Sequence, residues 1–265
     1  MRKNLQLDST DLRKIFEESI RVKDISSKLI YYSGNKKSSI VKKFMTRSDF
    51  DVIGIHNEDI TGYVDISDLK TGYVSDYMRH FIPGELISET TPLIDLMPIL
   101  KDRERIFVLC KNRIDRIVTR SDLQKAPVRM LIFGFISIME MHLLQIIKDV
   151  YPNNTWEKQL HQNRIESAKK IFNQRKNNNE ALDLVDCIQF SDKRDLLMRK
   201  NEIWSDMGFT SKTAFRKFFT NAEQLRNKLA HAQEIDTGSS WPEIIGLVIH
   251  VELLIQKLES LYPTD

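Results

Sequence analysis

Residues 51–69 read DVIGIHNEDITGYVDISDL, and residues 105–123 read RIFVLCKNRIDRIVTRSDL. The two stretches align without a gap. Each consists of an apolar segment, a polar turn (residues 57–59 and 111–113) and a second apolar segment that ends on Ser-Asp-Leu. A segment of helical character precedes each copy, around Ser39–Thr46 and Pro92–Lys101. Short strand pairs that alternate with helices predict a duplicated α/β unit.

The second half of the chain carries no strand pattern. Pro127 suits the first turn of a long apolar helix that is predicted to extend to about Tyr151. Shorter helical pieces are predicted near residues 180–188 and 192–200. Later helices are predicted to open on the capping pairs Asn154 with Glu157, Thr220 with Glu223, and Ser240 with Glu243. We expect an α+β protein of two domains, with an α/β repeat at 1–125 and an all-α bundle at 126–265.

The composition is that of a soluble globular protein, with 41% hydrophobic and 29% charged residues among 265. The net charge of +3 permits a nucleic-acid partner without requiring one. Cys110 and Cys187 are far apart and are expected to be reduced thiols, as in a cytoplasmic protein. No apolar core of a signal peptide is present near Met1, and the apolar run Met130–Met139 has about half the length that a bilayer needs. We expect a cytoplasmic protein that does not span a membrane.

The duplicated unit resembles a tandem pair of CBS domains, a module that commonly binds adenine nucleotides between its copies. Residues 117–123, IVTRSDL, resemble the ribose-binding signature of that family. A Thr at a strand end and an Asp at the following helix N-terminus can hold a ribose diol while helix amides face a phosphate. The resemblance implies an adenine nucleotide as regulatory ligand, bound by Thr119, Ser121 and Asp122, with Asp65 and Asp68 as the counterparts in the first copy.

Both copies depart from the family pattern. The first has Asp65 where the second has Thr119, and the second has Arg116 where the first has Gly62 and the family usually has Gly. We expect at most one good nucleotide pocket, centred on Thr119 and Asp122. The alternative is a CBS pair that only dimerises or acts as a spacer.

Residues 225–231, LRNKLAH, carry the second resemblance. An Arg, an adjacent polar residue, a three-residue spacer and a His, late in an all-α domain, resemble the motif of the HEPN superfamily. That superfamily consists of helical dimers that include many metal-independent endoribonucleases. The resemblance implies RNA as substrate, no required cofactor, and Arg226, Asn227 and His231 as the catalytic residues.

The residue types suit this chemistry. RNA can be cut without a metal, because its own 2′-hydroxyl can attack the neighbouring phosphate. A histidine can transfer protons near neutral pH, an arginine fork can bind the phosphate, and Asn227 could orient either group. The alternative is a solvated helix end, since a His in the last turn of a helix is favourable against the helix dipole.

The motif spacing constrains the geometry. Five helical residues rotate by about 140°, so Arg226 and His231 would point apart on one regular helix. They converge only if the helix ends or bends before His231, or if a second subunit contributes. The long apolar helix from Pro127 to Tyr151 is the predicted interface of a homodimer.

Three further features of the sequence are weaker indications of a functional site. Residues 211–219, SKTAFRKFF, could offer an RNA path through Lys212, Arg216 and Lys217, although an amphipathic helix that buries its aromatics is favoured. Glu140 and His142 interrupt the apolar helix and could line the same cleft, or could pair at an interface. The histidines and cysteines stand in no metal-ligand spacing, so no metal site is expected.

Together these patterns favour a nucleotide-regulated, metal-independent RNA endonuclease, in stress response or in defence against phage. The alternative is a non-enzymatic dimeric regulator that binds an adenine nucleotide and a macromolecular partner.

Overall fold

The computed structural model describes residues 9–56 and 60–262. The chain divides into two compact units. One unit is Ile15–Val128, and the other contains residues 129–262 together with residues 9–14. The first is a mixed α/β unit and the second is helical.

The N-terminal unit contains the predicted repeat. Its strands are β1 (Ser27–Lys28), β2 (Tyr31–Ser33), β3 (Val52–His56), β4 (Ile60–Asp65), β5 (Arg79–His80), β6 (Leu86–Ser88), β7 (Arg105–Cys110) and β8 (Arg113–Thr119). Its helices are α2 (Ser38–Ser48) and α3 (Leu93–Asp102), together with the last five residues of α1 (Ser9–Ser19). Both predicted hairpins and both preceding helices are confirmed. The turn predicted at residues 57–59 lies outside the described residues.

The strands form two four-stranded sheets with matching plans, β2-β3-β4-β5 and β6-β7-β8-β1. In each sheet a short strand runs parallel to the first strand of a hairpin, and another short strand pairs antiparallel with the second. β1 precedes the first copy but closes the sheet of the second, with Ser27 opposite Ile117. β5 precedes the second copy and closes the sheet of the first. Each copy is completed by the segment that leads into the other.

The ladder registers correct the ungapped alignment of the two copies. Asp65 lies opposite Val52, and Thr119 lies opposite Arg105. Thr119 follows Asp65 by 54 positions, whereas Arg105 follows Val52 by only 53. The second strands correspond as aligned, and the first strands are shifted by one residue. The cause is one additional residue between the paired positions, since 13 residues separate Arg105 from Thr119 and 12 separate Val52 from Asp65. Each hairpin has a register shift near its turn.

The two sheets share a buried cluster. Leu29, Tyr63, Phe107 and Ile117 pack together, and the rings of Tyr63 and Phe107 lie 4.6 Å apart between centroids. A second cluster, around Val41, Ile53 and Val64, lies within the first copy. Since the shared cluster draws on strands of both copies, it fixes one hairpin against the other.

The second unit is helical throughout the part that the structure describes. Its helices are α4 (Ala126–Val150), α5 (Gln162–Asn177), α6 (Phe190–Met198), α7 (Asn201–Asp206), α8 (Lys212–Ala230) and α9 (Trp241–Leu261). The long apolar helix is confirmed within one residue at each end. By length and composition, α4 could cross a membrane, and half of its most apolar 18-residue window is buried.

One predicted helix start is wrong because of backbone geometry. Asn153 and Asn154 both adopt left-handed conformations, with φ of 55° and 58°, inside the short 3-10 segment Pro152–Gln159. Two consecutive left-handed residues cannot open a right-handed helix. The next helix begins instead at Gln162, after His161 at its N-cap. The segment predicted near residues 180–188 contains only the 3-10 turn Leu184–Cys187.

The predicted capping box of Thr220 and Glu223 is also wrong. α8 runs through both residues and begins one residue after Ser211, whose Oγ accepts a hydrogen bond from the Ala214 amide at 3.1 Å. Thr220 and Glu223 both contact the guanidinium of Arg194, at 3.1 and 3.6 Å.

The predicted burial of the aromatics of residues 211–219 is confirmed. The box of Ser240 and Glu243 does open α9, with the Ser240 amide 2.9 Å from Glu243 Oε2.

Gly62 offers a test of the sheet that β5 closes. A Cβ at this position would lie against the carbonyl oxygen of Arg79 and 2.7 Å from Met78 Cγ, and a backbone oxygen cannot move aside cheaply. We expect Gly62→Ala to lower the free energy of unfolding by about 2 kcal/mol, through overpacking. Urea denaturation measures the effect.

Gly84→Ala is the matched control. Its Cβ would meet only the end of the flexible Arg103 side chain, at 3.2 Å. We expect a change within about 0.5 kcal/mol. Equal stabilities of the two variants would contradict the close packing of β5 on β4.

Candidate functional sites

The N-terminal unit contains a cavity of about 370 Å³. We call it the repeat cavity, and it is lined by Ser27–Ile30, Asp49–Val52, Glu104, Arg105, Ile117, Thr119, Ser121 and Asp122. The three residues that the sequence predicted for the second copy thus line one cavity, together with residues of the first copy. The segment after β1 forms one wall only because β1 pairs with β8.

Asp122 is the most constrained residue of the repeat cavity. It is buried, and its Oδ2 accepts hydrogen bonds from the Thr119 amide at 2.7 Å and the Thr119 hydroxyl at 3.2 Å. Its Oδ1 lies 2.6 Å from Lys125 Nζ and accepts from the Ser27 hydroxyl at 3.2 Å. Asp122 caps the 3-10 turn Arg120–Gln124 and holds β1 in place. Any ribose that it bound would replace the contacts of Lys125 and Ser27.

The charges around the repeat cavity are mixed. Asp49, Asp51 and Glu104 join Asp122 on the acidic side, and Lys28 and Arg105 are the basic residues of the lining. A bound phosphate would be attracted to the two cations and repelled by the carboxylates. The cavity can therefore hold a ribose and a base more readily than a long phosphate chain.

The counterpart site in the first copy is closed by ion pairs. Asp65 is buried between Arg105, at 2.5 Å, and Arg79, at 3.2 Å, and Asp68 lies 2.5 Å from Arg79. Neither Asp65 nor Asp68 belongs to the lining of the repeat cavity. Sequence reasoning missed both arginines, because neither lies near the signature in the chain.

Arg116 explains how the second copy tolerates the loss of glycine. Its guanidinium donates to the Ser26 hydroxyl at 2.8 Å and to the Ser26 carbonyl at 2.7 Å. The side chain thus holds the segment before β1, whereas β5 passes directly over Gly62 in the first copy. The two positions are equivalent in the sheets but support different edge strands.

In the helical unit, the helix that carries Arg226 ends just before His231, which is one of the two conditions under which the sequence allows the pair to converge. α8 ends at Ala230, and His231 has φ of −99° and ψ of 14°. The next residue, Ala232, is left-handed with φ of 52°, and the Gln233 amide donates to the Lys228 carbonyl at 2.9 Å. This is a Schellman-type end, in which the left-handed position is usually a glycine.

Two basic side chains close this helix end. Arg129, on α4, donates to the carbonyls of Lys228, Leu229 and Gln233 at 3.2, 3.4 and 2.9 Å. The ammonium of Lys228 donates to the carbonyls of Ile235, at 3.0 Å, and Thr237. The carbonyls of Lys228 and Leu229, near the end of α8, therefore have partners from outside the helix, which stabilises the backbone before His231. Neither cation was predicted from the sequence.

Arg226 is half-buried beside a charged pair. Its Nη1 donates to Asn227 Oδ1 at 3.2 Å, and its Nη2 lies 3.8 Å from Glu140 Oε2. The other oxygen of Glu140 accepts from the buried ammonium of Lys193 at 2.6 Å. Glu140 therefore lies at the motif, as one reading of the sequence expected, while His142 lies 3.7 Å from Glu259.

His231 and Asn227 are exposed at the end of α8. Within the part of the chain that the structure describes, no hydrogen bond or ion pair joins Arg226 to His231. The three motif residues thus lie on one exposed helix end, but the side chains of Arg226 and His231 do not meet. Lys212, Arg216 and Lys217 are exposed along the first half of α8.

Neither cysteine is paired in a disulfide. Cys110 and Cys187 are free, and burial, aided by a hydrogen bond with Asp115, raises the pKa of Cys110 to about 12. Such a thiol stays protonated at neutral pH and is a poor nucleophile. The described residues contain no cluster of three or more potential metal ligands.

Comparison with solved structures finds CBS-domain proteins at low sequence identity. A CBS domain-containing protein from Bacillus anthracis is 14% identical, with a TM-score of 0.37, over 42% of this chain and 94% of that one. The CBS-pair protein CBSX2 from Arabidopsis thaliana is 16% identical, with a TM-score of 0.36, over 42% and 95%. CBSX2 in complex with AMP is 15% identical, with a TM-score of 0.37, over 42% and 97%. No family model and no curated protein sequence matches the chain.

The pair of Glu140 and Lys193 generates a stability prediction. Removal of one partner of a buried ion pair leaves the other charge unpaired, so Glu140→Leu should lower the free energy of unfolding by about 3 kcal/mol or more. The double variant Glu140→Leu/Lys193→Met leaves no buried charge and should regain most of that loss. Thermal and urea denaturation of the three proteins measure it. Additive losses in the double variant would show that the two side chains are not coupled.

Proposed function

We propose that the chain is a nucleotide-regulated RNA endonuclease, in which the N-terminal unit binds an adenine nucleotide and the helical unit cuts RNA without a metal. The observation that carries the first part is the repeat cavity, which brings Thr119, Ser121 and Asp122 together. The observation that carries the second is the exposed end of α8, which presents Arg226, Asn227 and His231.

The size and lining of the repeat cavity support an adenine nucleotide as its ligand. Its volume of about 370 Å³ falls within the usual range for small-molecule sites. Asp122 and Thr119 offer oxygen atoms to a ribose diol, and Phe50, exposed at the cavity, offers a flat ring to the base. Lys28 would face the phosphate, because the guanidinium of Arg105 is already paired with Asp65. Because the first-copy aspartates are already paired with arginines, one nucleotide per chain is expected.

Nucleotide binding is tested by Asp122→Asn. The amide oxygen can still accept from the Thr119 amide, so the capping contact survives, but the negative charge toward the ribose hydroxyls is lost. We expect AMP affinity to fall by about tenfold, because hydrogen bonds to a charged group are about twice as strong as neutral ones. Calorimetry with AMP, ADP and ATP measures the affinities.

Asp68→Asn is the matched control for that experiment. Asp68 occupies the position in the first copy that Asp122 occupies in the second, and it pairs with Arg79. Its replacement should leave AMP affinity unchanged. If the native protein binds none of the three nucleotides, the repeat has a structural role only.

The proposed cleavage follows from the groups at the end of α8. His231 accepts the proton of a 2′-hydroxyl, whose oxygen attacks the adjacent phosphorus. Arg226 and Asn227 hold the non-bridging oxygens as their negative charge grows. The bond from phosphorus to the 5′-oxygen breaks, and that oxygen takes up a proton from a second acid. The products are a 2′,3′-cyclic phosphate and a 5′-hydroxyl.

A homodimer would supply the second acid and complete the site. α4 exposes a row of apolar side chains, with Met130 at 65%, Phe133 at 40% and Met141 at 39% of their full accessibility. They lie on the helix that also carries Glu140, beside Arg226. Exposed apolar surface of this kind is typical of an interface. Pairing of two copies through α4 would bring two copies of the motif close together, and light scattering of the full chain tests this assembly.

Cleavage is tested on a labelled RNA with EDTA present. We expect His231→Ala to lower the cleavage rate by about 100-fold or more, because general acid–base catalysis is lost. Arg226→Lys should also lower the rate, since lysine keeps the charge but not the planar fork. Mass spectrometry should find 2′,3′-cyclic phosphate ends.

His161→Ala is the matched control for the histidine variant. His161 is exposed at the N-cap of α5, far along the chain from the motif, and its replacement should leave cleavage unchanged. Mixtures of His231→Ala and Arg226→Lys proteins should regain activity if each site draws on both subunits. A folded, dimeric His231→Ala protein with full activity would contradict the proposal.

The contact between Arg226 and Glu140 favours a second candidate function. A carboxylate 3.8 Å from the guanidinium competes with a phosphate for the same group. If this pair is structural, the chain is a non-enzymatic dimeric regulator that binds a nucleotide and a macromolecular partner. Nucleotide binding without RNA cleavage, under all nucleotide conditions, would establish this alternative.

A further inference from the structure

The helical unit contains a larger cavity that lies apart from the motif side chains. It has a volume of about 510 Å³ and lies between α8 and α9. We call it the α8–α9 groove. Its lining includes Phe209, Lys217, Phe218, Asn221, Gln224 and His250.

An aromatic surface forms one side of the α8–α9 groove. The ring of His250 packs 4.4 Å from that of Phe218 and 5.6 Å from that of Phe209, between centroids. His250 itself is exposed, while both phenylalanines are buried. Contact with these rings partly buries the imidazole and lowers its pKa, so the ring is neutral at physiological pH. The α8–α9 groove therefore presents the flat, uncharged ring of His250, which packs against Phe209 and Phe218.

The rim of the α8–α9 groove is polar. Lys217, Asn221, Gln224 and Lys228 follow one another along one face of α8, at spacings of four, three and four residues. The ammonium of Lys228 donates hydrogen bonds to backbone carbonyls of the loop after His231. It therefore stabilises this loop and is not expected to bind a ligand. Glu243 is held by Ser240 and faces Lys217, so the charges at that end nearly cancel. The side-chain amides of Asn221 and Gln224 can thus offer donors and acceptors to a ligand.

We propose that the α8–α9 groove binds a single nucleobase of a single-stranded RNA, stacked on His250, with its polar edge toward Asn221 and Gln224. The inference rests on the proposed function for the nature of the substrate. Stacking on an aromatic ring, with hydrogen bonds to the edges of an unpaired base, is how proteins read single-stranded RNA. Amides match base edges, since they offer both donors and acceptors.

The position of the groove suits a substrate that passes the motif. The chain leaves His231 and reaches the groove at Ile235, Gly238 and Ser239, within eight residues. The exposed basic residues Arg216 and Lys212 lie beyond Lys217 on α8, where they can meet the phosphates of the same strand. A base held in the groove would fix the strand relative to the end of α8.

The test measures RNA binding separately from cleavage. Anisotropy with a fluorescein-labelled 12-nucleotide RNA, in a His231→Ala background, reports affinity alone. We expect Asn221→Trp, which fills the groove from an exposed helix position, to weaken binding by about tenfold or more. Gln174→Trp, an equally exposed position on α5, should leave binding unchanged. His250→Ala should weaken binding, and His250→Phe should retain it, because phenylalanine keeps the stacking surface.

The outcomes separate this inference from the proposed function. If the protein binds RNA tightly and neither Asn221→Trp nor His250→Ala weakens that binding, the proposal that the groove binds a nucleobase is wrong, while the nuclease proposal stands. If His231 is required for cleavage and Asn221→Trp raises KM without lowering kcat, both stand. Absence of any RNA binding would overturn both. Binding of an apolar peptide in place of RNA, blocked by Asn221→Trp, would show that the groove is a protein-docking site.

Discussion

The packing of Tyr63 against Phe107 joins the two copies of the repeat, and the rest of the N-terminal unit depends on it. The rings come from different hairpins and lie 4.6 Å apart, with Leu29 and Ile117 beside them. Leu29 and Ile117 also line the repeat cavity, so the cluster lies directly beside that cavity. The repeat cavity lies there, lined by residues of both copies. Its shape therefore depends on this hydrophobic contact as well as on Asp122, which holds β1 in place.

The two copies have diverged into different roles around that contact. In the second, Asp122 caps a turn and still faces a cavity. In the first, Asp65 is buried between two arginines, one of which comes from the second copy. Arg105 thus links the closed site to the open one, since the same guanidinium pairs with Asp65 and lines the repeat cavity. A buried carboxylate between two cations is a structural device that needs no ligand.

The elements with strong periodicity were predictable, and the features set by tertiary contacts were not. The hairpins, the helix Ala126–Val150 and the cap of α9 follow from local pattern. Thr220 and Glu223 have the right spacing for a cap, but they lie inside the long helix α8, where both contact the side chain of Arg194. A local motif cannot show that its residues contact a side chain from a distant part of the sequence. For the same reason the sequence indicated Arg226 and His231 as site residues but did not establish that Glu140 contacts Arg226. It gave no sign that Arg129 contacts the end of α8 or that Lys193 pairs with Glu140.

The exchange of edge strands has a consequence for how the chain is made. β1 must pair with β8, whose Ile117 follows Ser27 by 90 residues, before the second sheet is closed. Synthesis at about 5–20 residues per second leaves β1 waiting for its partner on the order of 10 s. During that interval the first copy has its hairpin but lacks the shared cluster, because Phe107 and Ile117 have not been made. The two sheets therefore cannot complete their mutual packing until both copies have been made, and a nascent chain stopped between the copies would expose Leu29 and Tyr63, which the shared cluster buries.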